Sequence, residues 1–135
     1  MTEPSSGLLD TSVFIARETG RALGELPDRV AVSVVTIGEL QLGVIAADEP
    51  ATRARRAETL ALARTADPIP VSEAIMGSWA RLVADCRTAG IHRVVKLTDA
   101  LIAATAIEHG LPVVTQDDDY DRIAAAHPPL QVLRA

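Results

Sequence analysis

Apolar residues occur along this chain in short bursts, separated by longer stretches of helical periodicity. Leu8-Leu9 lead directly into Asp10 and predict the end of a short buried strand. Residues 12–19 then read as a helix stopped by Gly20, and residues 21–26 as a second short helix closed by Pro27-Asp28. Val30–Val35 is a β-branched run without apolar/polar alternation, the pattern of a strand covered on both faces. Thr36-Ile37-Gly38-Glu39 has a hydroxyl three residues before a Glu, which predicts a capping box and a helix reaching about Ala47. A further helix is expected over 53–66. Pro68–Val71 reads as an edge strand, because its prolines cannot donate ladder bonds. A long helix over 72–89 follows, from a Ser72 cap to a Gly90 stop. Residues 91–97 read as a connection. Thr98 is the expected cap of a helix over 99–109, ended by Gly110. Pro112–Thr115 is a strand, 120–126 a last helix and 130–133 a last strand. Strands alternating with helices imply an α/β fold built on a parallel sheet with right-handed crossovers.

Composition narrows the picture. With 135 residues, 48% hydrophobic and 23% charged, the chain suits one globular domain. Aromatics are only 2%, so Ala, Val, Leu and Ile must build the core. The net charge of −5 excludes a generally basic nucleic-acid binder and leaves only local patches for that purpose. The lone Cys86 cannot form an internal disulfide and suits a reducing, cytoplasmic setting. No apolar run approaches membrane-spanning length, and the polar, acidic start is not a secretory signal. Residues 1–6 are expected to be a disordered end, with a single domain over 7–135.

Four acids share one setting. Asp10 and Asp117 follow strand ends, Glu39 lies in the first turn of a helix, and Asp99 opens another. Each has a structural explanation: Asp10 as a helix cap, Glu39 as a capping-box partner, Asp99 as a first-turn acid, Asp117 as an Asx turn. Helical spacing adds weight to two of them. Ile102, Ala103 and Ala106 follow Asp99 on one face, and Leu42, Gly43 and Ala46 follow Glu39. Gly43 weakens a helix by roughly 1 kcal/mol relative to Ala, so close packing beside the carboxylate is its expected reason. Carboxylates gathered in a dry cleft must take up protons or bind a cation. Oxygen ligands alone suit Mg²⁺ or Mn²⁺, which activate water and clamp a phosphodiester. His92, His109 and His127 show no zinc spacing.

Taken in order, Leu9-Asp10-Thr11-Ser12, Thr36-Ile37-Gly38-Glu39, Thr98-Asp99-Ala100-Leu101 and Thr115-Gln116-Asp117-Asp118-Asp119-Tyr120 resemble the motifs of PIN-domain proteins. The likeness is to the toxin ribonucleases of bacterial VapBC toxin–antitoxin pairs, and covers about residues 7–133. It implies a three-layer α/β/α sandwich, Rossmann-like, with a central parallel sheet of four to five strands. It implies an endoribonuclease dependent on Mg²⁺ (or Mn²⁺), leaving 5′-phosphate and 3′-hydroxyl ends. It also implies a homodimer held inactive by a cognate VapB-like antitoxin, in a heterotetramer or larger assembly. Carried over by position, Asp10, Glu39, Asp99 and Asp117 are the catalytic and metal-binding acids. Asp119 is a second acid of the loop, and Ser12 and Thr115 are supporting hydroxyls. Tyr120 stands where Phe is common in the family, and ring packing alone predicts no effect.

Arg53, Arg55 and Arg56 could touch RNA phosphates or the antitoxin, or form a solvated helix face. Lys96 could steer substrate or simply sit in solvent. Trp79 reads as core or interface. An aspartyl-phosphate phosphatase is disfavoured, because Ser12 occupies the place of its second Asp. The remaining alternative is a catalytically silent PIN-like module that binds protein.

Overall fold

A computed structural model describes residues 5–135 of the chain. The order is β1 (Ser6–Leu9), α1 (Thr11–Thr19), β2 (Arg29–Ala31), α2 (Val34–Ile45), α3 (Pro50–Arg64), α4 (Glu73–Thr88), α5 (Leu97–Glu108), β3 (Val113–Thr115), α6 (Asp119–Ala126) and β4 (Val132–Arg134). The strands form one parallel sheet in the order β2-β1-β3-β4.

Side-chain alternation along the central strands divides the core in two. Leu8 and Val113 point to one face and pack with Leu82, Ile102, Tyr120 and Ile123 of α4, α5 and α6. Leu9 and Val114 point to the other and pack with Val13, Phe14, Leu40 and Leu60 of α1, α2 and α3. This is the expected three-layer sandwich with a four-stranded parallel sheet. The strands lie close enough that a Cβ on Gly7 would fall 2.6 Å from Val114 Cγ2. Gly20, Gly90 and Gly110 end their helices with φ of 74°, 75° and 65°, the left-handed region that glycine enters without strain.

Local expectations fail in a few places. Residues 21–26 form no helix. Gly24 lies where a Cβ would be 3.3 Å from the Ala135 backbone, and the segment is held by tertiary contact instead. The strand expected over 30–35 ends at Ala31, because Ser33 Oγ accepts from Val35 N at 3.0 Å and starts α2 early. The predicted capping box is therefore absent, which frees Thr36 and Glu39 for other partners. Pro68–Val71 contributes a single parallel bridge, Ser33 to Ile69, at the β2 edge. Lys96 rather than Thr98 stands at the N-cap of α5, so Asp99 lies inside the first turn. At the start, Ser6 already belongs to β1, and residues 1–4 lie outside the described residues. Among the described residues no helix is long and apolar enough to cross a membrane.

Candidate active site

β1 and β3 are neighbours at the middle of the sheet, yet the helices that follow them leave to opposite faces. A parallel sheet opens a crevice at its carboxyl edge where this happens. Asp10 ends β1 at that edge, and the turn from Gln116 follows β3. The crevice is a cavity of about 240 Å³ lined by Asp10, Thr11, Ser12, Glu39, Asp99 and Asp117, with Ile15, Arg21 and Lys96 at its sides. The four acids that lie far apart in sequence thus share one cavity.

Asp10 is the most constrained of them, with 2% of its surface exposed. Its Oδ2 accepts from the Thr115 hydroxyl at 3.0 Å and from Ser12 N at 3.4 Å, and its Oδ1 from the Tyr120 hydroxyl at 2.9 Å. Asp10 is therefore the N-cap of α1 and a member of the acid group at once. Thr115 gives its proton to Asp10, so Ser12 Oγ, 3.2 Å away, is the donor to Thr115. Ser12 Oγ in turn accepts from Gln116 N at 3.0 Å, and Thr115 Oγ1 accepts from Asp117 N at 2.9 Å. These two hydroxyls tie the β3 turn to the end of β1.

Asp99 comes from the first turn of α5, with 7% exposure. Burial pushes its carboxyl up to about 6, with Asp10 and Glu39 adding repulsion and Lys96 opposing them. Tyr120 Oη reaches Asp99 Oδ1 at 3.3 Å. Burial, and then the Asp10 and Asp99 charges, hold the Tyr120 phenol well above its usual range, so it remains a donor. Glu39 is half-buried, and its Oε1 accepts from the Thr11 hydroxyl at 2.7 Å. Thr11 Oγ1 lies 3.0 Å from the buried Thr36 hydroxyl. Asp117 is more open, and its carboxyl is raised by burial, Asp10 and Asp119.

The donor set is all oxygen, and its four acids outnumber the two cations at the cavity side, which suits a hard divalent cation. Among the described residues no three Asp, Glu, His or Cys side chains close into a ligand cluster. The five acids named from the sequence therefore do not form one tight ligand shell. One or two carboxylates, with water completing the shell, fit the way Mg²⁺ is held.

Asp119 does not line the cavity. It begins α6 and pairs with Arg122 at 3.8 Å. The arginines of α3 are also engaged elsewhere. Arg53 and Arg56 donate to the carbonyls of Ala47 and Gly43, both at 2.7 Å, and so cap the end of α2. Arg55 reaches Glu18 at 3.8 Å. A Cβ on Gly43 would meet only Arg56 Cδ at 3.8 Å, an ordinary contact, so tight packing beside Glu39 is not its reason. Lys96 is exposed and faces the acids, as does Arg21. Sequence reasoning missed Arg21, Thr11, Thr36 and the hydroxyl of Tyr120. Thr11 beside Asp10 and Thr36 one turn before Glu39 were the available signals.

The pattern of the PIN domain matches residues 7–126. Ribonuclease VapC8 of Mycobacterium tuberculosis is 74% identical over 104 residues, covering 77% of this chain and 93% of that protein. Ribonuclease VapC5 of the same species is 46% identical over 127 residues, covering 93% of each. The solved VapBC-5 structure from M. tuberculosis superposes with a TM-score of 0.87 at 40% identity, over 98% of this chain and 100% of that one. At 19% identity, VapBC2 from Rickettsia felis, solved on a DNA fragment from its promoter, shares the fold with a TM-score of 0.76 over 96% and 98% of the two chains. With its acids gathered where β1 and β3 part, and with these relatives, the chain belongs to the PIN-domain family, among the VapC ribonucleases.

Proposed function

We propose that this chain is the toxin of a VapBC-type pair, an endoribonuclease that uses Mg²⁺, or Mn²⁺ in its place, and that a VapB-like antitoxin holds inactive. The observation that carries the reading is one cavity lined by Asp10, Glu39, Asp99 and Asp117, with Asp99 raised to about 6 by burial and by its neighbours. Repulsion of that kind is relieved by a cation. A divalent ion bound there supplies an activated water and neutralises charge building on the scissile phosphodiester.

The chain's own residues do the positioning. Asp10, fixed by Thr115 and Ser12, and Asp99 are the ligands of choice, because both are buried and rigidly placed. Glu39, oriented by Thr11, is free to hold the attacking water by its proton. Asp117 completes the negative rim. Lys96 and Arg21 offer positive charge at the cavity side, where an RNA backbone phosphate would settle. Domain limits of 7–135 and assembly as a homodimer within a larger toxin–antitoxin complex belong to the same reading. The VapBC-5 structure, from the VapBC family of toxin–antitoxin systems and 40% identical to this chain, supports the partner.

The test is cleavage of a mixed RNA pool by antitoxin-free protein, with Mg²⁺, with Mn²⁺ and with excess EDTA. Metal-dependent cutting that is lost in Asp10→Asn and Asp99→Asn is the expected result. Cutting that survives EDTA overturns the metal reading. No cutting by the unaltered chain, with Mn²⁺ present, favours a silent protein-binding module.

A further inference from the structure

Tyr120 is the chain's single tyrosine and is fully buried, at 0% exposure. Its ring packs in the core with residues from β1, α4 and α5. Ring packing needs only a phenylalanine. The hydroxyl is therefore an additional polar group placed in an apolar layer, where it must be satisfied or costs stability. It is satisfied at the acid cavity, 2.9 Å from Asp10 Oδ1 and 3.3 Å from Asp99 Oδ1. A phenol has one proton, so two carboxylate oxygens share a single donor. For Asp99 this is the sole hydrogen-bond donor among the described residues, whereas Asp10 is also held by Thr115 and Ser12.

The consequence is geometric. Asp10 stands at the end of a central strand and Asp99 in the first turn of a helix on one face. Without a shared donor, two like charges from separate elements spread apart. With it, both Oδ1 atoms are fixed to one point in the dry interior. Asp10 Oδ2 is taken up by Thr115 and Ser12 N, while Asp99 Oδ2 has no such partner among the described residues. We propose that Tyr120 is a positioning residue for the divalent ion: its hydroxyl clamps Asp10 and Asp99 by their Oδ1 atoms and so presets the pair to receive the cation. This rests on the cation reading above, and it adds a function to a side chain that ring packing alone leaves without one. Preset ligands bind a metal more tightly because less ordering and less repulsion remain to be overcome on binding.

Tyr120→Phe keeps the ring and removes the clamp. Mn²⁺ affinity, followed by electron paramagnetic resonance on metal-free protein, should fall about 10-fold or more, as for other partners that orient metal ligands. The Mg²⁺ concentration for half-maximal RNA cleavage should rise in parallel, with the rate at saturating Mg²⁺ falling less than about threefold. The far-ultraviolet circular dichroism should be unchanged. Because the chain has one tyrosine, 3-fluorotyrosine incorporation labels this site alone. Its ¹⁹F resonance should move during an Mg²⁺ titration, along the same isotherm as binding, and should move again in Asp99→Asn. Mn²⁺ affinity within twofold of the unaltered chain in folded Tyr120→Phe overturns the proposal. So does a ¹⁹F signal indifferent to Mg²⁺ while the ion binds. If the unaltered chain binds no Mn²⁺ at all, the cation reading falls first and takes this one with it. Should Tyr120→Phe fail to fold, the ¹⁹F titration decides alone.

Discussion

Asp117 and Asp118 are neighbours in the chain, and their carboxyls are driven in opposite directions. Asp117 turns into the cavity, where burial and the charges of Asp10 and Asp119 raise it. Asp118 turns outward onto Arg134, which holds it below the usual carboxylate range. Arg134 also bonds Asp121 at 2.9 Å and the Gln116 carbonyl at 3.0 Å. The run of acids after β3 is thus split into one group still short of positive charge and another whose charge is already answered. Residue type does not separate them; the cation each one faces does. A carboxylate with an arginine partner has little further need of a metal, and a desolvated one among like charges does.

The strongest way to break this division is substitution on both sides. Asp10→Asn and Asp99→Asn should each lower Mg²⁺-dependent RNA cleavage about 100-fold or more. Asp118→Asn and Asp121→Asn should leave it within about twofold, since exposed ion pairs contribute little. Initial rates on one RNA substrate decide, and equal losses on both sides would erase the distinction. Asp117→Asn and Asp119→Asn sharpen it within the loop itself. The first should cost about 10-fold, as for a group that supports a metal without being its main ligand, and the second less than about threefold.

Smaller effects follow for the metal-free protein. Asp99 is raised from 3.8 to about 6, so the folded state holds its proton more tightly than the unfolded one does. That group favours folding fully below about pH 3.8, and the contribution is lost as pH rises through about 6. At pH 7 without cation, Asp99→Asn should therefore melt about 2–5 °C above the unaltered chain. The gap should close toward pH 4 and shrink when Mg²⁺ is added. Melting curves across pH give the answer, and a large loss at pH 7 would mean that Asp99 is structural. The smallest effect concerns cations rather than acids. Lys96→Gln, at the cavity side, should raise the RNA concentration for half-maximal cleavage several-fold, more so at low salt. Arg56→Ala should instead lower the melting temperature by about 2–4 °C, with cleavage little changed, because its charge serves the end of α2.

The alternation of strands and helices, and with it the parallel sheet, was legible in the sequence because it depends on local pattern, whereas the three layers came only with the family resemblance. Leu8 against Leu9, and Val113 against Val114, alternate faces as strand geometry requires, and the glycine stops end their helices. Asp10 at a strand end was legible for the same reason. The start of α2 was not, because Ser33 and Thr36 are both good caps and the intervening valines favour a strand. In the fold Ser33 takes the cap, bridging to Ile69 while its Oγ accepts from Val35 N. The destinations of hydroxyls and arginines were also hidden. Tyr120 and Phe have the same ring, and only the fold brings the hydroxyl to two acids. Arg53 and Arg56 look free on a helical wheel, until α2 ends beside them. Which Asp of the loop faces inward depends on where α6 starts, a boundary that spacing alone does not define.

The central pair of strands joins distant parts of the chain: β1 ends at Leu9, and its partner β3 begins at Val113. Five helices must be laid down between them before that pairing can close. Contacts of such long sequence separation form late, after the entropy of the intervening loop has been overcome. Asp10, which ends β1, and Asp117, which follows β3, therefore come to face one cavity only once those two strands have paired.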